Sequence, residues 1–368
     1  MTRILTIALL TLGDPGRLTG GYLYHQRLVQ LAPRHRSRIQ FVSFPDRPFP
    51  LAALEAPRVL RQTHALRADV LVLDSIAAAF LGPWLTIRPP TAPLVGMLHQ
   101  PPGGIDHGPL RTMIQARLDS LAYHHATCLM VASESLADDL QAAGVPRARL
   151  RVVPPGRDVA AVVGPSPGDL RMGRRAAYLC VGNWVERKGM HHLLAAVARL
   201  PADAVTLHLA GDDRADPRYA ARLRARLAQP DLAGRVVVHG PLPLDRVAAL
   251  YQAADAFVLP SLKEPYGTVY GEAMAFGLPV VGWRAGNLPY LAEHEREGLL
   301  VAPGDLASLS EALLRLADDP SLRAKLGAAA RERALARPTW EESAALFFQT
   351  VQEAVCGRAS QPVLATHR

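Results

Sequence analysis

Short apolar runs alternate with longer helical patterns along almost the whole chain, and this alternation limits the possible folds more than any other feature. Twelve such runs predict buried strands: 4–10, 39–44, 70–73, 94–98, 128–132, 150–153, 178–181, 205–210, 236–239, 256–259, 280–282 and 299–301. Strands that alternate with helices form parallel sheets with helices on both faces. The predicted fold is therefore α/β, with two Rossmann-like doubly wound lobes that face a central cleft.

The length supports two lobes, because 368 residues exceed the size of one ordinary domain. The segment 164–169, Gly-Pro-Ser-Pro-Gly-Asp, is the best linker candidate. Trp340, Phe347 and Val351 recur at helical spacing after a Pro-Thr start signal and predict a C-terminal helix. This helix is either one more covering helix or a helix that crosses back to the first lobe. The predicted domains are 1–165, 166–338 and the terminal helix 339–357.

The charge pattern excludes several partners. The formal charge is +8, from 41 basic and 33 acidic residues that are scattered along the chain, so no nucleic-acid arm is expected. The apolar runs are too short for a membrane-spanning helix, which predicts a soluble, cytoplasmic protein. A basic surface still suits anionic substrates or an anionic membrane face. Arg111 and Arg117, within 109–123, mark either a peripheral membrane helix or an ordinary covering helix.

Cysteine and histidine spacing indicates no metal site. Cys128, Cys180 and Cys356 lie far apart in apolar contexts, which predicts three buried thiols in a reducing compartment. No Cys/His set has zinc spacing, and no Asp-x-Asp triplet is present to hold a metal ion on a diphosphate. We therefore expect no metal and no cofactor.

Two acidic residues eight positions apart carry the most specific signal. Glu264 lies in a Pro/Gly loop after a predicted strand, and a helix is predicted over about 266–276. The first-turn N–H groups, from Gly267, Thr268 and Val269, would form a seat for an anion. Glu272 would lie roughly 8 Å further along the helix axis, because each helical residue rises 1.5 Å. That is about the distance from a diphosphate to the ribose of a nucleotide. The ribose hydroxyls can donate hydrogen bonds to a carboxylate.

This segment resembles the E-x7-E signature of the retaining family 4 glycosyltransferases, with Glu264 and Glu272 at the two acidic positions. The following residues 273–280, Ala-Met-Ala-Phe-Gly-Leu-Pro-Val, also match the family. The resemblance implies the two-lobed GT-B fold and transfer of a sugar from a nucleotide-diphosphate sugar to an acceptor hydroxyl. It further implies that Glu264 acts on the transferred sugar.

Other segments of the second lobe support the resemblance, which covers about 178–310. Lys188 occupies the family's Lys-Gly position and is implied to neutralise the donor diphosphate. Asn183 stands where the family often has Arg, and the adjacent Arg187 is a candidate to supply that charge. Further similar segments are 207–212, 239–241, 253–261, 286–289 and 298–305.

The first lobe carries fewer signals. Gly20 and Gly21 follow the first predicted strand, and the resemblance implies a paired-glycine turn near the donor phosphates, with a helix beginning near Tyr22. His99 follows the fourth predicted strand, where a polar residue faces the crevice of such a fold. The family often has a histidine there, near the transferred sugar. Asp74 has the same topological argument without a family match.

The resulting prediction is a metal-independent, retaining glycosyltransferase in which Glu264, His99 and Lys188 are catalytic. The acceptor stays open: a sugar, a small molecule or a lipid-linked compound. Two alternatives also stay open. One is a phosphorylase or sugar-nucleotide epimerase with the same two lobes. The other is a non-catalytic subunit that binds a sugar nucleotide.

Overall fold

The computed structural model describes residues 3–16, 20–157 and 167–357. The elements in the first half are β1 (Leu5–Leu12), α1 (Gly20–Leu31), β2 (Ser37–Phe44), α2 (Ala56–Ala65), β3 (Val70–Asp74), α3 (Ala78–Ile87), β4 (Leu94–Leu98), α4 (Pro109–His124), β5 (Cys128–Val131), α5 (Glu134–Ala142) and β6 (Leu150–Val152). The second half continues with β7 (Ala176–Val181), α6 (Met190–Ala198), β8 (Val205–Ala210), α7 (Pro217–Leu227), β9 (Val236–Gly240), α8 (Leu244–Ala253), β10 (Ala256–Val258), α9 (Thr268–Ala275), β11 (Val280–Trp283), α10 (Leu288–Leu291), β12 (Gly298–Val301), α11 (Leu306–Asp318), α12 (Pro320–Leu335) and α13 (Trp340–Val355). All twelve predicted strands are confirmed.

The chain divides into two compact units, one of Met1–Gly156 with Pro338–Arg368 and one of Arg157–Arg337. Each unit contains a six-stranded parallel sheet within its described residues. The strand orders are β2-β1-β3-β4-β5-β6 and β12-β11-β10-β7-β8-β9. The predicted boundary at 165/166 and the first half of the predicted linker, 164–166, lie outside the described residues. The predicted α/β fold with two Rossmann-like units is confirmed.

The strands form because their apolar side chains are buried on both faces of each sheet. In β1, Ile7 and Leu9 belong to the core on one face, whereas Ala8 and Leu10 belong to the core on the other. Alternation of successive side chains across a strand explains this division. An apolar run without polar interruption is therefore what a strand buried between two helical layers requires.

The C-terminal helix α13 packs on the first unit's sheet. Phe347 and Val351 are fully buried in the same core as the Ile7 face of β1. The helix begins with a capping box, in which the Thr339 hydroxyl accepts from the Glu342 N–H and the Glu342 carboxylate accepts from the Thr339 N–H. This reciprocal pair explains why the helix starts where the Pro-Thr signal predicts.

The cysteines agree with the sequence prediction at two positions and differ from it at the third. Cys128 and Cys180 are buried, and burial raises the pKa of their thiols to about 11 and about 12. Cys356 is exposed, so its prediction as a buried thiol was wrong. It caps the end of α13, past the buried face that ends at Ala354, and its apolar sequence neighbours therefore did not reveal its exposure.

A buried carboxyl holds the loop that follows His99. Asp119 on α4 is only 1% exposed, and its Oδ2 accepts from the Gly103 N–H at 2.8 Å. Burial raises the pKa of the Asp119 carboxyl to about 7, from an ordinary value of 3.8, although the bond from Gly103 opposes the shift. The folded protein thus keeps this carboxyl protonated at pH values where the unfolded chain ionises it.

We expect Asp119→Asn to flatten the pH dependence of stability. Because the folded pKa is raised, wild-type stability falls as pH rises from about 4 to about 7 and is constant above that. Between pH 5 and pH 8, the free energy of unfolding of the wild type should fall relative to the variant by on the order of 2–3 kcal/mol. Urea unfolding at both pH values measures this difference. The exposed Asp139→Asn serves as the control, and equal pH dependence of Asp119→Asn and wild type would contradict the assignment.

Candidate active site

The second sheet reverses its strand order between β7 and β10, and this position gathers the predicted site residues. The two strands are neighbours, with Tyr178 paired to Ala256 and Leu179 to Phe257. The chain continues from β7 to β8 on one side, whereas β10 lies on the other side. Because all the strands are parallel, the segments 182–189 and 259–267 both leave the same edge of the sheet. Ligands of open α/β sheets bind at such a switch point.

A glycine allows these two segments to touch. Gly189 has a φ of 68°, and a Cβ there would lie 2.0 Å from the Pro260 carbonyl oxygen. Any side chain at this position would therefore force the segments apart. The Arg187 carbonyl accepts from the Leu262 N–H at 2.8 Å and from the Ser261 hydroxyl at 3.1 Å. These bonds fix the Arg187–Lys188 turn against the loop that carries Glu264.

Lys188 and Glu264 form a largely buried ion pair. The Lys188 ammonium donates to Glu264 Oε2, and the side chains are 9% and 13% exposed. Arg187 Nη1 lies 3.6 Å from the same carboxylate oxygen and donates to the Lys263 carbonyl at 2.9 Å. Two cations therefore face one carboxylate. Asn183 belongs to the same turn, where it is exposed.

The loop after β11 holds the backbone of Glu264. Gly286 has a φ of 56°, and a Cβ there would lie 2.8 Å from the Glu264 nitrogen. The Glu264 carbonyl accepts from the Asn287 N–H at 2.9 Å, and the Asn287 amide donates to the Tyr266 carbonyl at 2.6 Å. Asn287 is 2% exposed. Asn287 thus holds Glu264 through its backbone and Tyr266 through its side chain.

Helix α9 begins at Thr268, two residues later than predicted. Gly267 has a φ of 81°, a left-handed conformation that a helix interior does not contain. The N–H groups of Tyr270 and Gly271 donate to the Gly267 carbonyl. The N–H groups of Gly267, Thr268 and Val269 therefore precede the first intrahelical bond. Gly267 is buried, Val269 is half-buried and Thr268 is exposed.

Glu272 lies on α9 and is half-buried. Its Oε2 accepts from the Tyr251 hydroxyl at 3.1 Å, and the Tyr251 ring stacks on Phe276. Burial, reinforced by the nearby Glu272 charge, raises the pKa of Tyr251 well above its usual value, so this hydroxyl stays a donor. Tyr251 carries no functional signal in the sequence, because an aromatic residue on a covering helix looks like a core residue.

The first sheet has its own switch point, between β1 and β3, and His99 lies close to it. The His99 N–H donates to the Ser75 hydroxyl at 3.3 Å. A Cβ on Gly21 would lie 3.8 Å from His99 Cδ2, so Gly21 borders the ring. Gly20 and Gly21 are the first residues of α1, which starts before the predicted Tyr22 and replaces the predicted turn. Thr19, which precedes them, lies outside the described residues.

Behind His99 lies a polar cluster that the sequence analysis did not assemble. His25 Nε2 is 3.3 Å from His99 Nε2 and 3.5 Å from Asp74 Oδ2. His25 and Asp74 are 0% and 2% exposed, so the candidate Asp74 is enclosed by the protein. His25 is a lone histidine in a helix, and nothing in its sequence context marks it.

The same cluster is a possible metal site, because one ligand atom from each of His25, Asp74 and His99 lies within 4.8 Å of the others. A histidine that binds a metal through Nε2 carries its proton on Nδ1, and that N–H is normally bonded to an acceptor. His25 Nδ1 is buried and has no hydrogen-bond partner among the described residues. The cluster therefore fits a metal ion poorly.

The Lys188–Glu264 pair should show strong energetic coupling. Removing one partner leaves a nearly buried charge without its counterpart, so Lys188→Met and Glu264→Gln should each destabilise the fold. The double variant should lose about 2 kcal/mol less than the two single losses together. Urea unfolding of the four proteins measures this coupling. The exposed Arg222–Glu186 pair, at 3.1 Å, is the matched control and should couple by less than about 1 kcal/mol. Equal coupling in both cycles would contradict the burial argument.

Two family models match the chain. The Glycosyl transferase 4-like domain matches residues 5–156, and Glycosyl transferases group 1 matches residues 175–319.

Curated relatives of the chain also carry the names of glycosyltransferases. A glycogen synthase of Mycobacterium tuberculosis is 30% identical over 299 residues, which are 76% of this chain and 70% of the relative. A D-inositol 3-phosphate glycosyltransferase of Xylanimonas cellulosilytica is 32% identical over 245 residues, 63% of this chain and 58% of the relative. The chain thus spans little more than half the length of that transferase.

Solved structures share the fold over nearly the whole chain. Sucrose-phosphate synthase from Thermosynechococcus elongatus has a TM-score of 0.80 at 22% identity, over 96% of this chain and 100% of that one. Anabaena Alr3699/HepE in complex with UDP and glucose has a TM-score of 0.77 at 22% identity, over 94% and 99%. Together with the family models and the glycogen synthase, these similarities show that the chain belongs to glycosyltransferase family 4 and has the GT-B fold.

Proposed function

We propose that this protein is a retaining, metal-independent glycosyltransferase that moves a sugar from a nucleoside-diphosphate sugar to an acceptor hydroxyl. The observation that carries the proposal is the meeting of Lys188, Arg187 and Glu264 at the β7–β10 switch point. A pair of cations fixed beside the loop before a helix N-terminus suits a diphosphate better than a neutral ligand.

In this proposal the diphosphate binds the N–H groups of Gly267, Thr268 and Val269, with Lys188 and Arg187 as counter-charges. Anions favour a helix N-terminus because its N–H groups lack partners and the helix dipole is positive there. Gly267 is buried, and a Cβ there would lie 2.9 Å from Leu291 Cδ1, so the glycine lets the protein pack tightly behind this turn. The exposed Asn183 is proposed to contact the nucleotide-sugar donor, because the corresponding family position does so. No metal ion or other cofactor takes part.

Glu272 is proposed to bind the ribose of the donor. Its position roughly 8 Å along the helix axis suits the distance from a diphosphate to the ribose. A carboxylate accepts hydrogen bonds from two hydroxyls. The bond from Tyr251 to Oε2 orients the carboxylate.

The proposed catalysis is electrostatic. Breaking the bond between sugar and diphosphate places negative charge on the leaving phosphate, and cations and amides fixed there stabilise that charge more than the ground state. A phosphate oxygen of the leaving group is proposed to accept the proton of the acceptor hydroxyl, which attacks from the same face. His99 and Glu264 are proposed to contact the transferred sugar, and Gly20 and Gly21 to lie near the donor phosphates, on the family pattern.

Substitutions should separate donor binding from turnover. UDP-glucose is the first probe, because the Anabaena protein binds UDP-glucose in a solved complex, and other bases and sugars follow. A bound donor raises the melting temperature, since it binds only the folded state. Lys188→Ala and Glu272→Ala should lower the apparent donor affinity, as measured by this shift, by about tenfold. Glu264→Gln should keep the donor affinity of the wild type and lower the rate of transfer on the order of a hundredfold.

The exposed Lys325→Ala is the control and should match the wild type in both measurements. Transfer activity is followed with sugar, small-molecule and lipid-linked acceptors. Donor binding without transfer to any acceptor would support a non-catalytic subunit, and conversion of the donor without an acceptor would support an epimerase. Wild-type binding and turnover in all three site variants would refute the proposed roles.

We also propose that the first unit contacts an anionic membrane surface on the cytoplasmic side. On α4 the inward face carries Gln115 and Asp119, whereas large apolar side chains are exposed. The exposed set comprises Leu110, Met113, Ile114 and Leu121 on α4 and Trp84 and Ile87 on α3. Arg111 and Arg117 on α4 and Arg88, which follows α3, are also exposed. Apolar side chains beside cations suit an anionic lipid interface. None of the described helices is long and apolar enough to cross a membrane.

Replacing Leu110, Met113 and Ile114 by serine together should weaken binding to vesicles that contain anionic lipid. Each serine removes apolar area that the lipid would cover, so the partition coefficient should fall by at least tenfold. Vesicle flotation measures the bound fraction. Leu244→Ser, which changes an exposed leucine on α8 of the second unit, is the control and should bind like the wild type. No binding of the wild type to anionic vesicles would refute this proposal.

A further inference from the structure

A chain of buried polar groups leads from the first sheet to His99. Asp74, at the end of β3, accepts from the Thr11 hydroxyl through Oδ2 at 3.0 Å and from the Ile76 N–H through Oδ1 at 3.2 Å. The same Oδ2 faces His25 Nε2, which in turn faces His99 Nε2. The carboxylate is therefore held by its own loop and by β1, and His25 stands between it and His99.

The surroundings of His25 determine which ring nitrogen carries its proton. Nδ1 is buried without a hydrogen-bond partner among the described residues. A buried N–H without an acceptor is rarer and costs more than a buried acceptor without a donor. A proton on Nδ1 would also leave the Nε2 lone pair facing the Asp74 carboxylate, which is repulsive. The proton of His25 therefore lies on Nε2, between Asp74 Oδ2 and His99 Nε2.

This assignment also determines the form of His99. Since His25 Nε2–H points at His99 Nε2, that nitrogen must accept and must carry no proton, so neutral His99 holds its proton on Nδ1. Burial lowers the pKa of His25 to about 4 and also lowers the pKa of His99, so both rings are neutral near pH 7. The Tyr24 ring packs edge-on against His99, with ring centroids 5.1 Å apart, and limits its rotation.

We propose that His25 and Asp74 are positioning residues that lock His99 in the Nδ1–H form, so that His99 presents a hydrogen-bond donor, and not an acceptor, to its substrate. This inference rests on the proposed function, in which His99 contacts the transferred sugar. There a fixed Nδ1–H would donate to a sugar oxygen. Which nitrogen of a histidine is available is set by the bond that the other nitrogen makes.

The tautomers can be measured directly in the full-length protein. Long-range proton–nitrogen spectra of protein labelled with ¹⁵N-histidine distinguish the Nδ1–H form, the Nε2–H form and the imidazolium. His208 is an internal reference: its Nε2 lies 2.8 Å from the Leu170 carbonyl and must carry the proton. We expect His25 as Nε2–H and His99 as Nδ1–H at pH 7. His99 found as Nε2–H, or as imidazolium, would overturn the proposal.

Variants test whether His25 is the cause. His25→Leu removes the donor, so His99 should shift toward the Nε2–H form that free neutral histidine favours. His25→Gln places an amide N–H where Nε2–H lies and should restore the Nδ1–H form. Asp74→Asn tests the carboxylate if His25→Leu fails to fold, and should also release His99. Tyr24→Phe keeps the ring contact and is the packing control. An unchanged His99 tautomer in folded His25→Leu or Asp74→Asn would overturn the proposal.

Turnover gives a second readout once a donor and acceptor are identified. His25→Leu should lower kcat on the order of tenfold with little change in KM for the donor, and His25→Gln should recover most of the loss. Equal losses in His25→Leu and His25→Gln would indicate a merely structural role and overturn the proposal. If no transfer is found, the proposed function fails, whereas the spectra still decide the tautomer assignment.

Discussion

The hydrogen-bonded pairing of β7 with β10 is the constraint on which the candidate site depends. These strands come from distant parts of the chain, and because they run parallel their carboxyl ends meet at one edge of the sheet. Lys188 and Glu264, 76 positions apart, form an ion pair there. The main chains approach so closely that Gly189 and Gly286 cannot carry a Cβ without contacting backbone atoms. Strand order, through these contacts, sets the charge distribution of the site.

The first unit uses the same topology for a different chemistry. Its switch point brings Thr11, Asp74 and His99 from β1, β3 and β4 to one edge, and α1 adds His25. In the second unit the buried groups are charged and paired, which suits a ligand that carries negative charge. In the first unit the rings of His25 and His99 are neutral. The free energy needed to remove the His25 imidazolium from water exceeds the stabilisation that the single Asp74 carboxylate provides. Hydrogen-bond direction, and not net charge, is therefore what that cluster can control.

Local sequence was a sound guide to elements and a weaker one to their ends. The strands were predictable because a strand buried on both faces requires an uninterrupted apolar run. Helix α13 was predictable because its capping box is local. The start of α9 was misplaced by two residues, because Gly267 adopts a left-handed conformation that only the folded loop requires. Cys356 is exposed because it caps α13 beyond the buried face of the helix, and three isolated cysteines do not report where that face ends.

The sequence alone determined the α/β class, the family and the positions of Glu264, Glu272 and Lys188, since each is carried by local periodicity or by a motif within a few dozen residues. Only the tertiary structure decided that Lys188 bonds to Glu264 and that His25 stands behind His99. The physical reason is that these partners share no local pattern. They meet because β-strand order and close packing at glycines bring distant segments together, and the hydrogen-bond satisfaction of buried atoms then selects which groups face each other.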